Sequence, residues 1–167
     1  LLKAAIRSQD PVMFIEHATL YQMRGEVPEG DHVVPIGKSI VQRPGRDVTI
    51  VAYSKMLEVS LKAADKLSQE GIEAEIVDLR TLRPLDMEPV IESFKKTNRA
   101  VVVEEGWPSY GVGAEISSRI YEQAFDYVDA PVKRVAQKEV PLPYNRTLEQ
   151  MAIPNAGDII AAVKEVL

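Results

Sequence analysis

The apolar positions of this chain alternate between short continuous runs and helically spaced stripes. The continuous runs are rich in β-branched residues, a pattern that suits strands buried on both faces of a sheet. They predict four strands, Val48–Tyr53, Ala74–Leu79, Ala100–Val103 and Val132–Ala136. Because helical stripes separate these strands, the sequence predicts an α/β fold with a mostly parallel sheet, helices on both faces and right-handed crossovers.

Cap residues mark several helix ends in this part of the chain. Ser54, Asp86 and Asn155 are favoured N-cap residue types, and each precedes a helical stripe. Gly71 suits the end of the first of these helices. The Pro-rich segment 140–154, which precedes the last stripe, is predicted to be a loop.

The first 38 residues follow a different pattern. Leu1–Ile6 has helical spacing, and Val12–Glu16 is a compact strand candidate. This helix and strand have no preceding partners, so we interpret them as the tail of an upstream α/β domain and expect the chain to be part of a longer protein. His17–Lys38 contains several Gly and Pro residues and predicts a linker. Ser39–Gln42 is a further short strand candidate.

Composition excludes several function classes. The net charge of −5 argues against nucleic-acid binding, which depends on clustered Lys and Arg. No apolar run approaches the roughly 20 residues of a membrane-spanning helix. The absence of Cys excludes disulfides and thiolate metal sites. We therefore expect neither nucleic acid nor a membrane among the partners.

Charged residues lie at the ends of two consecutive predicted strands and in the loops that follow, at the edge where function gathers in parallel sheets. They are Asp78, Arg80, Arg83, Glu104 and Glu105. Asp78, Arg80 and Arg83 could bind an anion, although intramolecular or interface ion pairs are the commoner use of such mixed charge. Glu104 and Glu105 could be an acid–base pair, but adjacent strand residues point to opposite faces. The favoured interpretation is that one carboxylate caps or pairs and the other is solvated.

Gly111 and Gly113 resemble part of a phosphate-binding loop at a helix start. The last glycine of a dinucleotide fingerprint is missing, so a tight turn with close helix packing is the favoured interpretation. A stand-alone flavodoxin-like module that binds a nucleotide or another anion remains the alternative.

His17, His32 and the aromatic cluster Trp107, Pro108 and Tyr110 complete the candidates. Neither histidine has a recognisable partner nearby in sequence, which favours surface or interface positions over a metal or catalytic site. Loop aromatics are enriched at interfaces, so partner contact and local packing are equally favoured for the cluster.

Ordered motifs along the whole chain resemble the beta subunits of thiamine diphosphate-dependent 2-oxoacid dehydrogenases, most closely the pyruvate dehydrogenase E1 type. The motifs are DPVMFIEHATLY, EVPEGDHVVPIGKS, EAEIVDLRTLRPLD, EEGWPSYGVGAEI, DAPVKRVAQKEVPLPY and IPNAGDII. Beta subunits that act on branched-chain 2-oxoacids or acetoin are the closest alternatives.

The resemblance implies an architecture and a division of the chain. Residues 1–38 would be the tail of a pyrimidine-binding domain and a linker, and residues 39–167 a transketolase-like C-terminal domain. That domain is expected to be a three-layer α/β/α fold around a five-stranded, mostly parallel sheet. Ser39–Gln42 would be its one antiparallel edge strand.

The resemblance also implies a function for the intact enzyme. It would decarboxylate pyruvate on thiamine diphosphate with Mg²⁺ and acetylate the lipoyl group of E2. The activating Glu and a catalytic His of the family would lie upstream of Leu1, so no catalytic or cofactor-binding residue is assigned and the isolated chain is expected to be inactive. Implied partners are an E1 alpha subunit, a second beta subunit in a heterotetramer, and the E2 subunit-binding domain. The implied location is the bacterial cytoplasm, or the mitochondrial matrix or plastid of a eukaryote.

Some members of this family bind K⁺ through backbone carbonyls in the segment that matches AIRSQD. Carried over by position, the ligands would be Ala5, Ile6, Ser8 and Asp10. Carbonyl oxygens are the usual hosts of this large monovalent ion. Relatives often have Asp and Asn in place of Ser8 and Asp10, so the shape of the loop, rather than its ligand chemistry, decides whether the site is kept.

Overall fold

The computed structural model describes residues 1–167. The strands are Ile40–Arg43 (β1), Val48–Ala52 (β2), Ala74–Asp78 (β3), Ala100–Val103 (β4) and Lys133–Val135 (β5). The α-helices are Leu2–Arg7 (α1), Lys55–Gln69 (α2), Glu88–Thr97 (α3), Val112–Ala124 (α4), Arg146–Ala152 (α5) and Ala156–Val166 (α6). Short 3₁₀ helices span Ala18–Gln22 and Phe125–Tyr127. None of these helices combines the length and the apolar character that crossing a membrane requires.

The five strands form one mixed sheet in the order β1-β3-β2-β4-β5. Strands β3, β2, β4 and β5 run parallel to one another, and the edge strand β1 pairs antiparallel with β3. The central strand β2 pairs Ile50 with Ile76 of β3 on one side and with Val101 of β4 on the other. The expected five-stranded sheet with one antiparallel edge strand is therefore confirmed.

Helices cover both faces of the sheet, and β2 and β4 are therefore buried along their whole length. Ile50 and Val101 pack on the face that α2 and α6 cover. Val51 and Val102 face the other way, toward α3 and α4. Burying each such side chain contributes about 1.5–3 kcal/mol relative to leaving it exposed. The result is the predicted three-layer α/β/α arrangement.

One buried carboxylate interrupts the apolar sequence of β3. Glu75 is 2% exposed, and its side chain accepts hydrogen bonds from Ser93, Lys96 and the Gly45 amide. Burial alone would raise the pKa of Glu75, but the hydrogen bonds, first that from Lys96, hold it below its ordinary value. Glu75 therefore joins β3 to α3 and to the β1–β2 turn as a fully satisfied ion.

The helix caps follow the sequence in part. Asn155 caps α6 in a capping box, and Asp158 returns the interaction by accepting from the Asn155 amide at 2.9 Å. Asp86 accepts from the Glu88 amide at 3.3 Å, but the N-cap position of α3 is Met87, one residue later than predicted. Ser54 occupies the N-cap position of α2 but makes no side-chain cap hydrogen bond, so its prediction as a capping side chain is wrong. Its φ of 53° lies in the left-handed region instead of the extended region that an N-cap normally adopts.

The Pro-rich segment 140–154 contains a helix that the loop prediction missed. Asn145 caps α5 by accepting from two backbone amides of its first turn, and Ala152 anchors the helix by being buried. Pro143 and Pro154 lie outside the helix, so neither interrupts its hydrogen bonds.

The amino-terminal segment contains the predicted helix α1 but no strand. Val12–Glu16 is not paired with any strand, so the predicted strand is wrong for this chain. A strand needs a neighbouring ladder, and the sheet is formed entirely by later residues. The segment folds back on itself, because Arg7 donates two hydrogen bonds, of 2.7 and 3.0 Å, to Asp31.

Candidate functional site at the carboxyl edge of the sheet

The charged residues after β3 bind one another. Asp78 lies 3.5 Å from Arg80 and also accepts a 3.1 Å hydrogen bond from the Arg80 amide. Burial raises the pKa of Asp78, and the contacts with Arg80 only partly oppose this effect. The favoured interpretation of these two residues as an ion pair is therefore confirmed.

Arg83 lies farther along the same loop and is exposed. It lines a shallow groove of about 600 Å³ together with Leu82, Leu85, Val112 and Arg119. Arg119 already pairs with Glu115 at 2.7 Å. The groove therefore combines apolar walls with one paired arginine and the exposed Arg83.

Glu104 is a structural anchor at the end of β4. Its side chain is 1% exposed and accepts hydrogen bonds from the Gly113 amide at 3.0 Å and from the Tyr53 hydroxyl at 3.4 Å. Burial first, and the nearby negative charge of Glu104 second, raise the pKa of Tyr53 to about 12. Glu104 thus stabilises the first turn of α4, and each of its two carboxylate oxygens accepts a hydrogen bond from within the chain.

The two glycines at the start of α4 make room for this carboxylate. A Cβ at Gly111 would lie 2.4 Å from the Trp107 carbonyl oxygen and 2.5 Å from Glu104 Oε1. A Cβ at Gly113 would lie 2.6 Å from the same Glu104 oxygen. The interpretation of the glycines as a packing motif is confirmed, because the Glu104 carboxylate occupies the space that a Cβ at either glycine would need.

Glu105, the residue after Glu104, contacts the amino-terminal segment. Its Oε2 lies 3.1 Å from His17 Nε2, and Thr19 Oγ1 lies 2.9 Å from the other ring nitrogen. The sequence analysis found no partner for His17 because the two residues are far apart in the chain. The expectation that one glutamate caps a helix start is confirmed by Glu104. The expectation that the other is solvated is wrong, because Glu105 pairs with His17.

Two loops at this edge present exposed apolar side chains. We call loops 106–110 and 138–144 the aromatic edge; its exposed apolar residues are Trp107, Tyr110, Val140, Leu142 and Tyr144. Tyr110 is 104% exposed, and its backbone is left-handed, with a φ of 60°. An exposed aromatic side chain on a strained backbone is the kind of feature that clusters at binding sites.

Hydrogen bonds hold the two loops of the aromatic edge together. The Ser109 amide donates to Glu139 at 3.1 Å, and Arg134 donates to the Pro108 carbonyl at 2.7 Å. The Gln137 amide, directly before the second loop, donates to the Gly106 carbonyl at 3.0 Å. The apolar side chains are therefore carried on a pre-organised surface.

The residues proposed for K⁺ lie together at the end of α1. The Ala5 carbonyl accepts from the Ser8 amide at 3.3 Å, and Ser8 Oγ accepts from the Asp10 amide at 3.2 Å. Ile6 is exposed. Each carbonyl oxygen has two lone pairs, so these contacts are compatible with a carbonyl-lined ion site. The chain contains no cluster of three or more His, Asp or Glu side chains that could hold a metal.

Comparison with known proteins places residues 37–159 within the family described as "Transketolase, C-terminal domain". The chain is 50% identical over 167 residues to a Rhizobium meliloti protein named pyruvate dehydrogenase E1 component subunit beta, covering 99% of this chain and 36% of that protein. It is 49% identical over 172 residues to a Drosophila melanogaster protein named as the mitochondrial form of that subunit, covering 100% and 47%. The resemblance inferred from the motifs is confirmed, and the chain spans about a third to a half of these relatives' length.

A solved structure has the same fold. It is titled "Split gene transketolase, inactive beta4 tetramer", and it superposes with a TM-score of 0.72 at 33% sequence identity. The match covers 86% of this chain and 45% of that one. The neighbour is a transketolase chain that, by its title, assembles as a tetramer without activity.

Proposed function

We propose that this chain, which belongs to the transketolase C-terminal domain family, is the assembly portion of a pyruvate dehydrogenase E1 beta subunit. The intact enzyme would use thiamine diphosphate with Mg²⁺ to decarboxylate pyruvate and acetylate lipoyl-E2. Thiamine diphosphate supplies the carbanion-stabilising chemistry when it is bound. The chain described here contributes subunit contacts instead of reacting groups.

The carboxylates at the carboxyl edge do not fit a cofactor-activating role. Glu104 is committed to the Gly113 amide and Tyr53, and Glu105 to His17. A general acid–base carboxylate must lie within hydrogen-bond reach of the group whose proton it transfers, whereas Glu104 is almost fully buried and Glu105 is paired with a side chain of the same chain. We therefore derive no catalytic step from these residues.

The observation that carries the assembly role is the aromatic edge. Its apolar side chains are exposed, while hydrogen bonds fix the loops that carry them. Exposed apolar patches with a polar surround mark protein–protein contacts, and Trp and Tyr are the commonest anchors there. We propose that this surface meets the E1 alpha subunit. A second beta subunit and the E2 subunit-binding domain would complete the partners, and the tetrameric transketolase neighbour supports self-association.

Binding and turnover assays with the 167-residue chain test this function. We expect micromolar or tighter binding to a purified E1 alpha subunit, measured by calorimetry. Trp107→Ala should weaken it at least tenfold, because a central aromatic anchor contributes about 2 kcal/mol or more. Phe125→Ala, which removes an exposed aromatic residue outside the aromatic edge, is the matched control. Binding that neither variant weakens would remove the aromatic edge from the proposal.

The same mixture is supplied with thiamine diphosphate, Mg²⁺ and pyruvate. We expect no decarboxylation, because the reacting groups of the family would lie on other segments. Measurable turnover by the chain with the alpha subunit would overturn the division between assembly and chemistry. Absence of binding to the alpha subunit, to a second copy and to the E2 domain would overturn the assembly role itself.

We also propose that Ala5, Ile6, Ser8 and Asp10 supply carbonyl ligands to K⁺ in the longer protein. Support comes from their position at the end of α1, since Ala5 and Ile6 lie in its last turn and Ser8 and Asp10 follow directly after it. Replacing KCl by NaCl at equal ionic strength should lower the thermal midpoint of a full-length relative that shares this segment. Identical midpoints in the two salts would argue against the site.

We further propose that the protein lies in the mitochondrial matrix if its organism is a eukaryote and in the cytoplasm if it is a bacterium, since relatives include mitochondrial and bacterial proteins.

Among the alternatives, the relatives' names favour pyruvate over branched-chain 2-oxoacids or acetoin. Substrate profiling of a full-length enzyme that contains this segment distinguishes these substrates. A stand-alone nucleotide module is disfavoured, because Glu104 fills the space beside Gly111 and Gly113. A thermal shift in the presence of nucleotides would revive it.

A further inference from the structure

One part of the amino-terminal linker projects from the rest of the chain. We call residues 24–30 the linker tip, and all of them are exposed. A Cβ built at Gly25 or at Gly30 would have no atom within 4 Å. The nearest side chains along the sequence that form hydrogen bonds are Tyr21 before the linker tip and Asp31 after it. The linker tip is therefore not packed against its own chain.

The linker tip combines an apolar centre with flanking charges. Val27 is 88% exposed, and Glu26 and Glu29 lie on either side of the Val27-Pro28 pair. Arg24 adds one positive charge before them. Pro28 restricts Val27 to extended conformations, so this segment loses less conformational entropy on binding than a flexible one.

The groove that contains Arg83 has the opposite pattern of charge. Its apolar walls include Leu82, Leu85 and Val112. Its charged residues are two arginines and one glutamate, Arg83, Arg119 and Glu115. Arg119 contacts Glu115 through its Nε, which leaves its terminal nitrogens available, and the exposed Arg83 side chain has no ion pair within the chain. The groove thus carries two positive charges and one negative, where the linker tip carries two negative charges and one positive.

Hydrogen bonds hold this groove in shape. The Gly37 amide donates to Thr81 Oγ1 at 3.1 Å, and the Thr81 hydroxyl donates to the Pro84 carbonyl at 3.0 Å. Pro84 also packs closely on Gly37, where a Cβ would lie 2.7 Å from Pro84 Cγ. The opposite wall is α4, whose first turn is bonded to Glu104. A preformed groove binds at a lower cost than one that must be ordered first.

We propose that the linker tip of one copy binds in the Arg83 groove of a second copy of this chain. Glu26 and Glu29 pair with the two arginines of the groove, and Val27 packs against its apolar walls. The opposite charge patterns favour a second copy as the occupant, because the chain itself supplies a segment with the required side chains. The inference rests on the second beta subunit of the proposed function, and it adds the residues of that contact.

The contact can form twice in one dimer. Each copy has one linker tip and one groove, so two copies related by a twofold axis exchange their tips reciprocally. Once the first contact has formed, the second is intramolecular, and its high effective concentration strengthens the dimer beyond either contact alone.

Sedimentation equilibrium of the 167-residue chain tests this exchange. We expect the mass to rise with concentration above the 18.6 kDa of the monomer. Arg83→Glu should weaken association by about tenfold or more, because it brings like charges together. A tip variant that combines Glu26→Lys with Glu29→Lys should do the same. Arg146→Glu, which reverses an exposed arginine outside the groove, is the matched control and should associate like the wild type.

An equimolar mixture of the groove variant and the tip variant gives the sharpest result. In a mixed dimer, the positive tip of one variant meets the negative groove of the other, and the two remaining native surfaces meet each other. We therefore expect the mixture to associate with about wild-type affinity, although each variant alone stays largely monomeric. Contact between a tip and the groove of its own chain would give no such rescue.

Three outcomes would overturn the exchange. A chain that keeps the monomer mass at every concentration has no second-copy contact, and the binding of the alpha subunit is then judged by its own assay. A dimer that neither variant weakens leaves the second beta subunit in place but uses another surface. Two weakened variants that do not rescue each other show that tip and groove do not meet. Unchanged circular dichroism identifies the variants as folded.

Discussion

Replacing Gly113 with Ala sets helix propensity directly against packing. Ala is favoured over Gly by at most about 1 kcal/mol inside a helix, and Gly113 lies in the first turn of α4, where the gain is smaller. The new Cβ would lie 2.6 Å from Glu104 Oε1 and 3.4 Å from a methyl group of Val102. Glu104 cannot yield cheaply, because it is buried and bonded to the Gly113 amide.

The expected magnitude follows from these opposing terms. Overpacking a core position costs about 1–3 kcal/mol. Shifting Glu104 would also weaken a hydrogen bond to a charged group, which is worth about 1.5–3 kcal/mol. After subtracting the propensity gain, Gly113→Ala should lower the free energy of unfolding by about 2 kcal/mol.

Urea unfolding followed by circular dichroism measures this loss. We expect a lower midpoint with an unchanged m-value, because the surface exposed on unfolding stays the same. Gly25→Ala is the matched control, since a Cβ there has no atom within 4 Å. In a double-mutant cycle with Glu104→Ala, which clears the space, the two changes should couple by about 1 kcal/mol or more.

The reasoning is refuted if Gly113→Ala is as stable as the wild type. It is equally refuted if the two changes in the cycle are additive, because the cost would then not arise from contact with Glu104. Either result would reopen the possibility that the glycines serve a bound ligand.

Three further changes probe other buried polar groups. Ser60→Ala removes a buried hydroxyl that has no hydrogen-bond partner, and it should raise the free energy of unfolding by about 1 kcal/mol more than Ser118→Ala on an exposed helix face. Lys96→Met should cost about 2 kcal/mol at pH 7, less than a fully buried pair because Lys96 is half exposed. Burial opposes the shift, but the hydrogen bonds, first that from Lys96, hold the pKa of Glu75 below its ordinary value, so this cost should shrink in unfolding curves measured at acid pH and disappear once the pH has fallen through that lowered pKa. The raised pKa of Tyr53, about 12, contributes stability to the folded wild type that is complete below pH 10 and is lost as the pH rises through 12. Tyr53→Phe has no hydroxyl to ionise, so its free energy of unfolding should fall less than that of the wild type between pH 10 and pH 12.

Continuous apolar runs made the sheet predictable. Ala100–Val103 and Val48–Ala52 are buried on both faces, and burial on both faces is what an unbroken apolar run encodes. Isolated caps were less reliable: Asn155 capped as expected, whereas the left-handed backbone of Ser54 overrode its side-chain preference. Helix α5 was missed because flanking prolines dominate the local signal.

Contacts between distant residues were beyond local patterns. Glu104 was singled out, but its hydrogen bond to Gly113 depends on how tightly α4 packs against β4. The pairing of His17 with Glu105 depends on the path of the linker, which carries no periodic signal. Val12–Glu16 has the composition of a strand, but composition does not supply the neighbouring strand that it needs.

The strand order also dictates a sequence of events during synthesis. β1 emerges from the ribosome first, yet its only neighbour in the sheet is β3, which ends at Asp78. Until β3 has emerged, β1 has no neighbouring strand with which to pair. The β2–α2–β3 unit is the earliest piece that can form a parallel pair, and α6 can cover α2 only after the last residues are made. Strand β1 therefore joins the sheet only after β2 and β3 have been made, although it precedes both in the chain.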